Sequence, residues 1–181
     1  MKRLILFYLL MVSAFTYSQN EENDNLTKFG RINLGVHGIE FSYELPVSNK
    51  FVWENNLGIG LGMNKNGSIA QYYWAFNKPT PYLKSELKFV YNRNKRILKK
   101  RPVHNNSGNY IGLQAKYSFG NKNVYDLDET VLTEIHWGIQ RNLGRRFLFN
   151  THIGFGYLWD FDNSSGEISP TLGVRFGYRL F

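Results

Sequence analysis

The chain contains no cysteine. That excludes disulfides, thiolate metal sites, thiol nucleophiles and a lipidated N-terminal cysteine, and leaves burial and strand pairing to hold the fold. Long hydrophobic runs are missing as well. The one apolar run, Leu4 to Val12, is far short of the roughly 20 residues a helix needs to cross a bilayer core about 30 Å thick. If the mature protein enters a membrane, it must do so as a closed sheet. Acidic residues are the scarcer charge, 14 against 22 basic ones. A basic chain usually suggests nucleic acid, but an exported protein rarely meets it, and no nucleic-acid partner is expected.

Export is read from the first eighteen residues. Lys2 and Arg3 precede the apolar run, and Thr16 and Ser18 are the small residues a signal peptidase reads. Residues 1–18 are therefore expected to be a cleaved signal peptide, 19–28 a flexible leader and 29–181 a single domain. What that domain has in abundance is aromatic residues, 17% of the chain, together with 17 glycines.

From residue 29 onward the chain repeats strict alternation, the signature of a strand with two unlike faces. In Arg146 to Phe161 the odd positions are Phe147, Phe149, Thr151, Ile153, Phe155, Tyr157, Trp159 and Phe161, while Asn150, His152, Gly154, Gly156 and Asp160 fall on the even ones. Five more segments behave alike: Phe51 to Met63, Leu83 to Tyr91, Ile111 to Phe119, Val131 to Gln140 and Leu172 to Leu180. Near the N-terminus the apolar phase flips between Val36 and Ile39. Two short strands broken at Gly35-Val36-His37-Gly38 or one bulged strand would explain the flip. Termini on one side of a membrane barrel require an even count, which favours eight strands. Short connections at Pro46 to Lys50 and Asn142 to Arg145 oppose longer ones at Asn64 to Thr80, Gly120 to Thr130 and Asp162 to Ser169. The long basic segment Asn92 to Gly108 falls on the short-turn side.

The expected fold is all-β, an eight-stranded antiparallel up-and-down transmembrane β-barrel with a polar, side-chain-filled lumen. Eight strands enclose an interior just wide enough for side chains. Large aromatic residues therefore belong outside and the glycine-dotted polar face inside. Tyr157, Trp159, Phe161 and Tyr178 suit the aromatic girdles of a bilayer interface. A soluble, periplasmic lipocalin-like carrier with its apolar face inward is the alternative.

On this reading Glu40, Glu44, Glu54, Glu86 and Glu134 face inward with Arg31, Lys84, Lys88, Lys116, Arg175 and Arg179. His136 and His152 join them. Buried charges persist when paired, so an interlocked salt-bridge network is expected in place of an open pore.

The segments SYELPVSNKFVWENNLGIGLG (Ser42 to Gly62), PTPYLKSELKFVYNRNKR (Pro79 to Arg96) and NNSGNYIGLQAKYSF (Asn105 to Phe119) resemble the small outer-membrane β-barrel proteins of the Bacteroidota. The closing GYRLF is similar to the C-terminal assembly signal of outer-membrane proteins, carried here by Tyr178, Leu180 and Phe181. Phe181 lies three residues after Tyr178, which places it on the opposite strand face unless it turns over the barrel rim and the signal is read at Leu180. The resemblance implies an eight-stranded barrel of the broad OmpX/OmpA-like type in the cell outer membrane. Its partners would be the barrel-assembly machinery, outer-membrane lipid and lipopolysaccharide, and it would be a monomer. No cofactor and no catalytic residue carry over.

Other constellations were weighed for chemistry. Glu134, His136 and His152 suggest a histidine base oriented by a carboxylate, as in lipid A deacylases, but Gly138 and Gly154 stand where a serine would follow. The same trio as a metal site is a common accidental pattern, and no metal is assigned. Asp126, Asp128 and Glu129, and separately Asp160 and Asp162, are read as solvated loop acids. Arg93, Lys95, Arg96, Lys99, Lys100 and Arg101 either rest on anionic headgroups or are a solvated connection. Tyr72, Tyr73, Trp74 and Phe76 form an aromatic loop cluster, an upper girdle or an external contact surface. The expected function is structural or surface-interacting and not enzymatic, with a lipid-modifying enzyme as the alternative.

Overall fold

The computed structural model describes residues 25–61, 63–66, 69–72, 79–121 and 127–181. In chain order these form β1 (Phe29–Gly35), β2 (Gly38–Pro46), β3 (Phe51–Leu61), a hairpin of β4 (Met63–Asn66) and β5 (Ile69–Tyr72), then β6 (Pro79–Val90) and helix α1 (Arg93–Leu98). There follow β7 (Gly108–Ser118), β8 (Thr130–Asn142), β9 (Phe147–Asp160) and β10 (Ser165–Arg179). Eight of the strands close into one antiparallel up-and-down barrel, in the order β1-β2-β3-β6-β7-β8-β9-β10, with β10 returning to β1. No helix among the described residues is long and apolar enough to span a membrane, which bears on helices alone.

The N-terminal ambiguity resolves as two strands. Gly35 pairs with Gly38 across the Val36-His37 connection, and Gly38 has φ +121°, a conformation that glycine adopts without strain. The last connection is shorter than expected. Phe161 to Ser164 already makes the turn, and β10 starts at Ser165, whereas alternation placed its start near Leu172. Ser165 to Pro170 is too polar to alternate visibly. Because β1 stops at Gly35, opposite Arg175, the earlier part of β10 pairs with β9 on one side, a place where Pro170 is tolerated.

The alternation sorts side chains cleanly. Along β8 the buried positions are Thr130, Leu132, Glu134, His136, Gly138 and Gln140, while Thr133, Ile135 and Trp137 are exposed. Exposed outward residues make a belt that includes Leu34, Ile39, Leu57, Ile59, Leu113, Ile135, Ile153 and Leu172. Inside, four rings each lie over a glycine directly across on the next strand: Tyr82 over Gly58, Tyr110 over Gly138, His136 over Gly112 and His152 over Gly173. A Cβ at any of those glycines would overlap the ring, so the glycines on the polar face are seats for bulky inward groups.

The end of the barrel where β1 begins and β10 ends, called the terminal end, is covered. Leu26 packs with Val52, Val90 and Tyr110. Asn105, Asn106 and Ser107 are buried there. Both asparagines have positive φ, and Asn106 bonds Thr27 on one side and Glu44 on the other. The basic segment is thus neither a plain solvated loop nor a uniform charged patch. Arg93 and Arg96 turn inward onto the carbonyls of Asn25, Val103 and Pro102, while Lys95, Lys99, Lys100 and Arg101 are exposed.

Phe181 is on the outer face, not the inner one. The strand ends at Arg179, the amide of Leu180 donates to the Gly30 carbonyl, and the Phe181 ring then lies over Gly30, 6.4 Å from the ring of Tyr43. Strand parity mispredicted its side because parity stops where the strand does. Tyr178 faces outward and packs on Phe147, 5.1 Å between centroids.

Candidate functional site

The barrel interior concentrates the chain's charges. Glu54, with no exposed surface, is reached by Arg31 at 2.9 Å, by Arg175 at 2.8 Å and by Lys88. Glu44 pairs with Arg31 at 2.9 Å and Lys88 at 3.0 Å, and Glu40 with Lys84 at 2.8 Å and Arg175 at 2.7 Å. These residues come from β1, β2, β3, β6 and β10, so the network ties both sides of the β1–β10 seam together. Burying such ions carries a desolvation penalty of several kcal/mol each, which multiple partners at this geometry offset.

Deeper toward β8 and β9 the partners change. The His136 imidazole is clamped between two carboxylates, Glu86 at 2.9 Å on Nε2 and Glu134 at 2.8 Å on Nδ1. His152 stacks on His136 at 4.2 Å and lies 3.3 Å from Glu134. Gln114 donates a further bond to Glu134. The trio of Glu134, His136 and His152 is close enough to share an ion, but Glu134 already has Gln114 hydrogen-bonded to it and the two imidazoles within ion-pair distance. Among the described residues, no serine or threonine hydroxyl is hydrogen-bonded to either imidazole.

Two of the expected network members differ from the rest. Arg179 makes no ion pair among the described residues. It sits at the terminal end, bonded to Asn105 Oδ1 at 2.6 Å and the Phe181 carbonyl at 3.1 Å, with its guanidinium 5.3 Å from the Phe29 ring. Lys116 is 4% exposed, yet among the described residues no carboxylate lies within ion-pair distance of it; its ammonium rests over the Tyr82 ring at 4.4 Å. Tyr82, Gln114 and Thr171 surround this part of the interior without having been singled out in the sequence. The signal was there: Tyr82 and Gln114 precede Lys84 and Lys116 by two, and Thr171 precedes Gly173 by two, the strand period for a shared face.

Above this region, at the end away from the termini, two adjoining cavities of about 20 Å³ each open, one among β1, β2, β6, β9 and β10 and the other among β6, β7, β8, β9 and β10. His37, Tyr82, Lys84 and His152 line both. His37 comes from the β1–β2 connection, its Nε2–H donating to the Leu172 carbonyl at 3.1 Å. Desolvation, followed by the nearby charges of Lys116 and Lys84 and by His152, lowers its pKa from 6.5 to about 3, so the folded protein holds it neutral. The unfolded chain binds that proton below pH 6.5 and the folded one does not until near 3, so acidification through this window favours unfolding. Between pH 7 and pH 5, denaturant titrations should show a smaller loss of stability in His37→Gln than in the native chain. Equal losses would remove His37 from the balance.

The loop acids have ordinary partners. Asp128 and Asp160 are buried, not solvated as expected, because the turn after β9 caps them: Asp160 accepts the backbone amides of Asp162 and Asn163, Asp128 accepts from Asn163 Nδ2 at 3.4 Å, and the exposed Asp162 accepts the Glu129 amide. Asp126, Tyr73, Trp74 and Phe76 lie outside the described residues. Tyr72 ends β5.

Comparison of the chain with protein-family models, with curated proteins and with solved structures finds no match.

Proposed function

We propose that the chain is an outer-membrane β-barrel protein with a structural or surface-interaction role, exported by its N-terminal segment and spanning the bilayer with eight strands as a monomer. The observation that carries this reading is the outward belt. Aliphatic side chains at its middle, such as Leu57, Leu113, Ile135 and Ile153, are about 60% exposed. Flanking them are two aromatic rings: Phe51, Phe89, Phe147, Tyr178 and Phe181 toward the termini, and Tyr117, Phe119, Tyr157 and Phe161 at the other end. Phe149 to Trp159 covers about 34 Å along a strand, and a tilt near 40° turns that into about 26 Å of height, the apolar band of a membrane barrel.

An exposed apolar surface of this extent has no place on a soluble monomer. The charged interior is equally unsuited to an apolar ligand, which weighs against the lipocalin-like carrier. Side chains fill that interior and the terminal end is covered, which supports a closed barrel over a pore. External lipid and lipopolysaccharide are the natural neighbours of the belt, and the barrel-assembly machinery the natural reader of its last strand. The test is electrophoretic. Refolded protein in detergent should migrate differently before and after boiling, and identical migration would sink the membrane-barrel reading.

A further inference from the structure

Glu40, Glu44, Glu54, Glu86 and Glu134 each lie within ion-pair distance of a cation or imidazole, and Lys116 pairs with none of them; Glu167, on the inward face of β10, also keeps a buried carboxylate oxygen without a hydrogen-bond partner among the described residues. The Lys116 Nζ is buried with no hydrogen-bond acceptor among the described residues. Contact with the Tyr82 ring offsets only part of the cost of burying an ammonium. Register makes the excess worse. Lys84 stands directly opposite Lys116 on the adjacent strand, and like charges so placed repel.

Both lysines line the cavities, Lys84 while paired with Glu40 at 2.8 Å and Lys116 while resting on the Tyr82 ring, with Glu40 lining one cavity and Glu134 the other. Lys84 lines both cavities and Lys116 the one it shares with Gln114 and Thr171. Thr171 Oγ1 is buried there without a partner.

We infer that this chamber is a binding site for one oxyanion group, a phosphate or carboxylate, held between the Lys116 and Lys84 ammonium groups with the Thr171 hydroxyl as a further donor. The two cavities admit a group of a few non-hydrogen atoms and not a whole lipid, so a larger ligand would insert its charged end from the loop side. The inference rests on the barrel interior and not on where the barrel resides.

The full chain, folded in a phosphate-free detergent and checked by its boiled-versus-unboiled gel shift or near-UV dichroism, should be titrated calorimetrically with sodium phosphate at constant ionic strength. A parallel arm uses mixed micelles of lipid A with and without its phosphates. Native protein should bind, and Lys116→Met should weaken binding at least tenfold, while Lys95→Met on the exposed face of α1 should not. Since Lys116→Met removes an uncompensated charge, it should fold at least as well as the native chain. Binding of phosphate in both arms assigns a free ion as a sufficient ligand, and binding confined to phosphorylated lipid A assigns a lipid headgroup. Absence of binding in both arms would overturn the inference. So would equal binding by native protein and Lys116→Met, which means an adventitious ion only.

Discussion

Glu54→Gln is expected to destabilise the barrel by about 3–5 kcal/mol, the range found when one partner of a buried ion pair is removed. Arg31, Lys88 and Arg175 converge on this one carboxylate, and none of them has access to bulk water. Glutamine keeps the shape and one acceptor but leaves the three cations to share Glu44, Glu40 and Glu86. Equilibrium unfolding in denaturant should show the midpoint fall sharply, with a matching loss of the heat-shifted band. Glu129→Gln, at the loop end, makes the control. A Glu54→Gln midpoint equal to that of the native chain would mean that the interior is solvated enough to screen its charges.

The second large effect reports on the surroundings of the belt. Leu113 is 62% exposed at the middle of β7. In water, arginine at such a position changes stability little, within about 0.5 kcal/mol. At a bilayer midplane the same substitution costs about 2–4 kcal/mol. Leu113→Arg folded into phosphatidylcholine vesicles should therefore lose stability by that amount, while Lys95→Arg, a charge-neutral change on the exposed face of α1, stays unchanged. A Leu113→Arg protein as stable as the native one in vesicles would argue that the belt does not meet lipid.

Alternation made most of the barrel legible, because a strand with unlike faces writes its period into the chain. It failed wherever the two faces were alike or the period was broken. Ser165 to Pro170 sets one large apolar residue, Ile168, between Gly166 and Pro170 on its outward face, too little alternation to mark a strand, so the start of β10 was hidden. Helix α1 has six residues and no apolar stripe, and its two inward arginines look in sequence like their exposed lysine neighbours. The inward charges were likewise visible, but their pairing was not. Which cation each glutamate takes depends on register between strands distant in sequence. Arg179 and Lys116 look equivalent in alternation, yet one ends beside Asn105 and the Phe181 carbonyl and the other beside Tyr82 and Lys84.

The seam between β1 and β10 sets an order on folding. Arg31 pairs with Arg179, so the ring closes only when nearly the last residue has arrived. Arg175, on that final strand, supplies counter-charge to both Glu40 and Glu54. Until it docks, a partly built sheet would hold carboxylates that have lost water without gaining their full set of partners. Loop closure over so long a span is entropically slow. A sheet that still lacks β10 thus carries its own obstacle to early collapse, and the docking of that strand is the step that commits the ring to close.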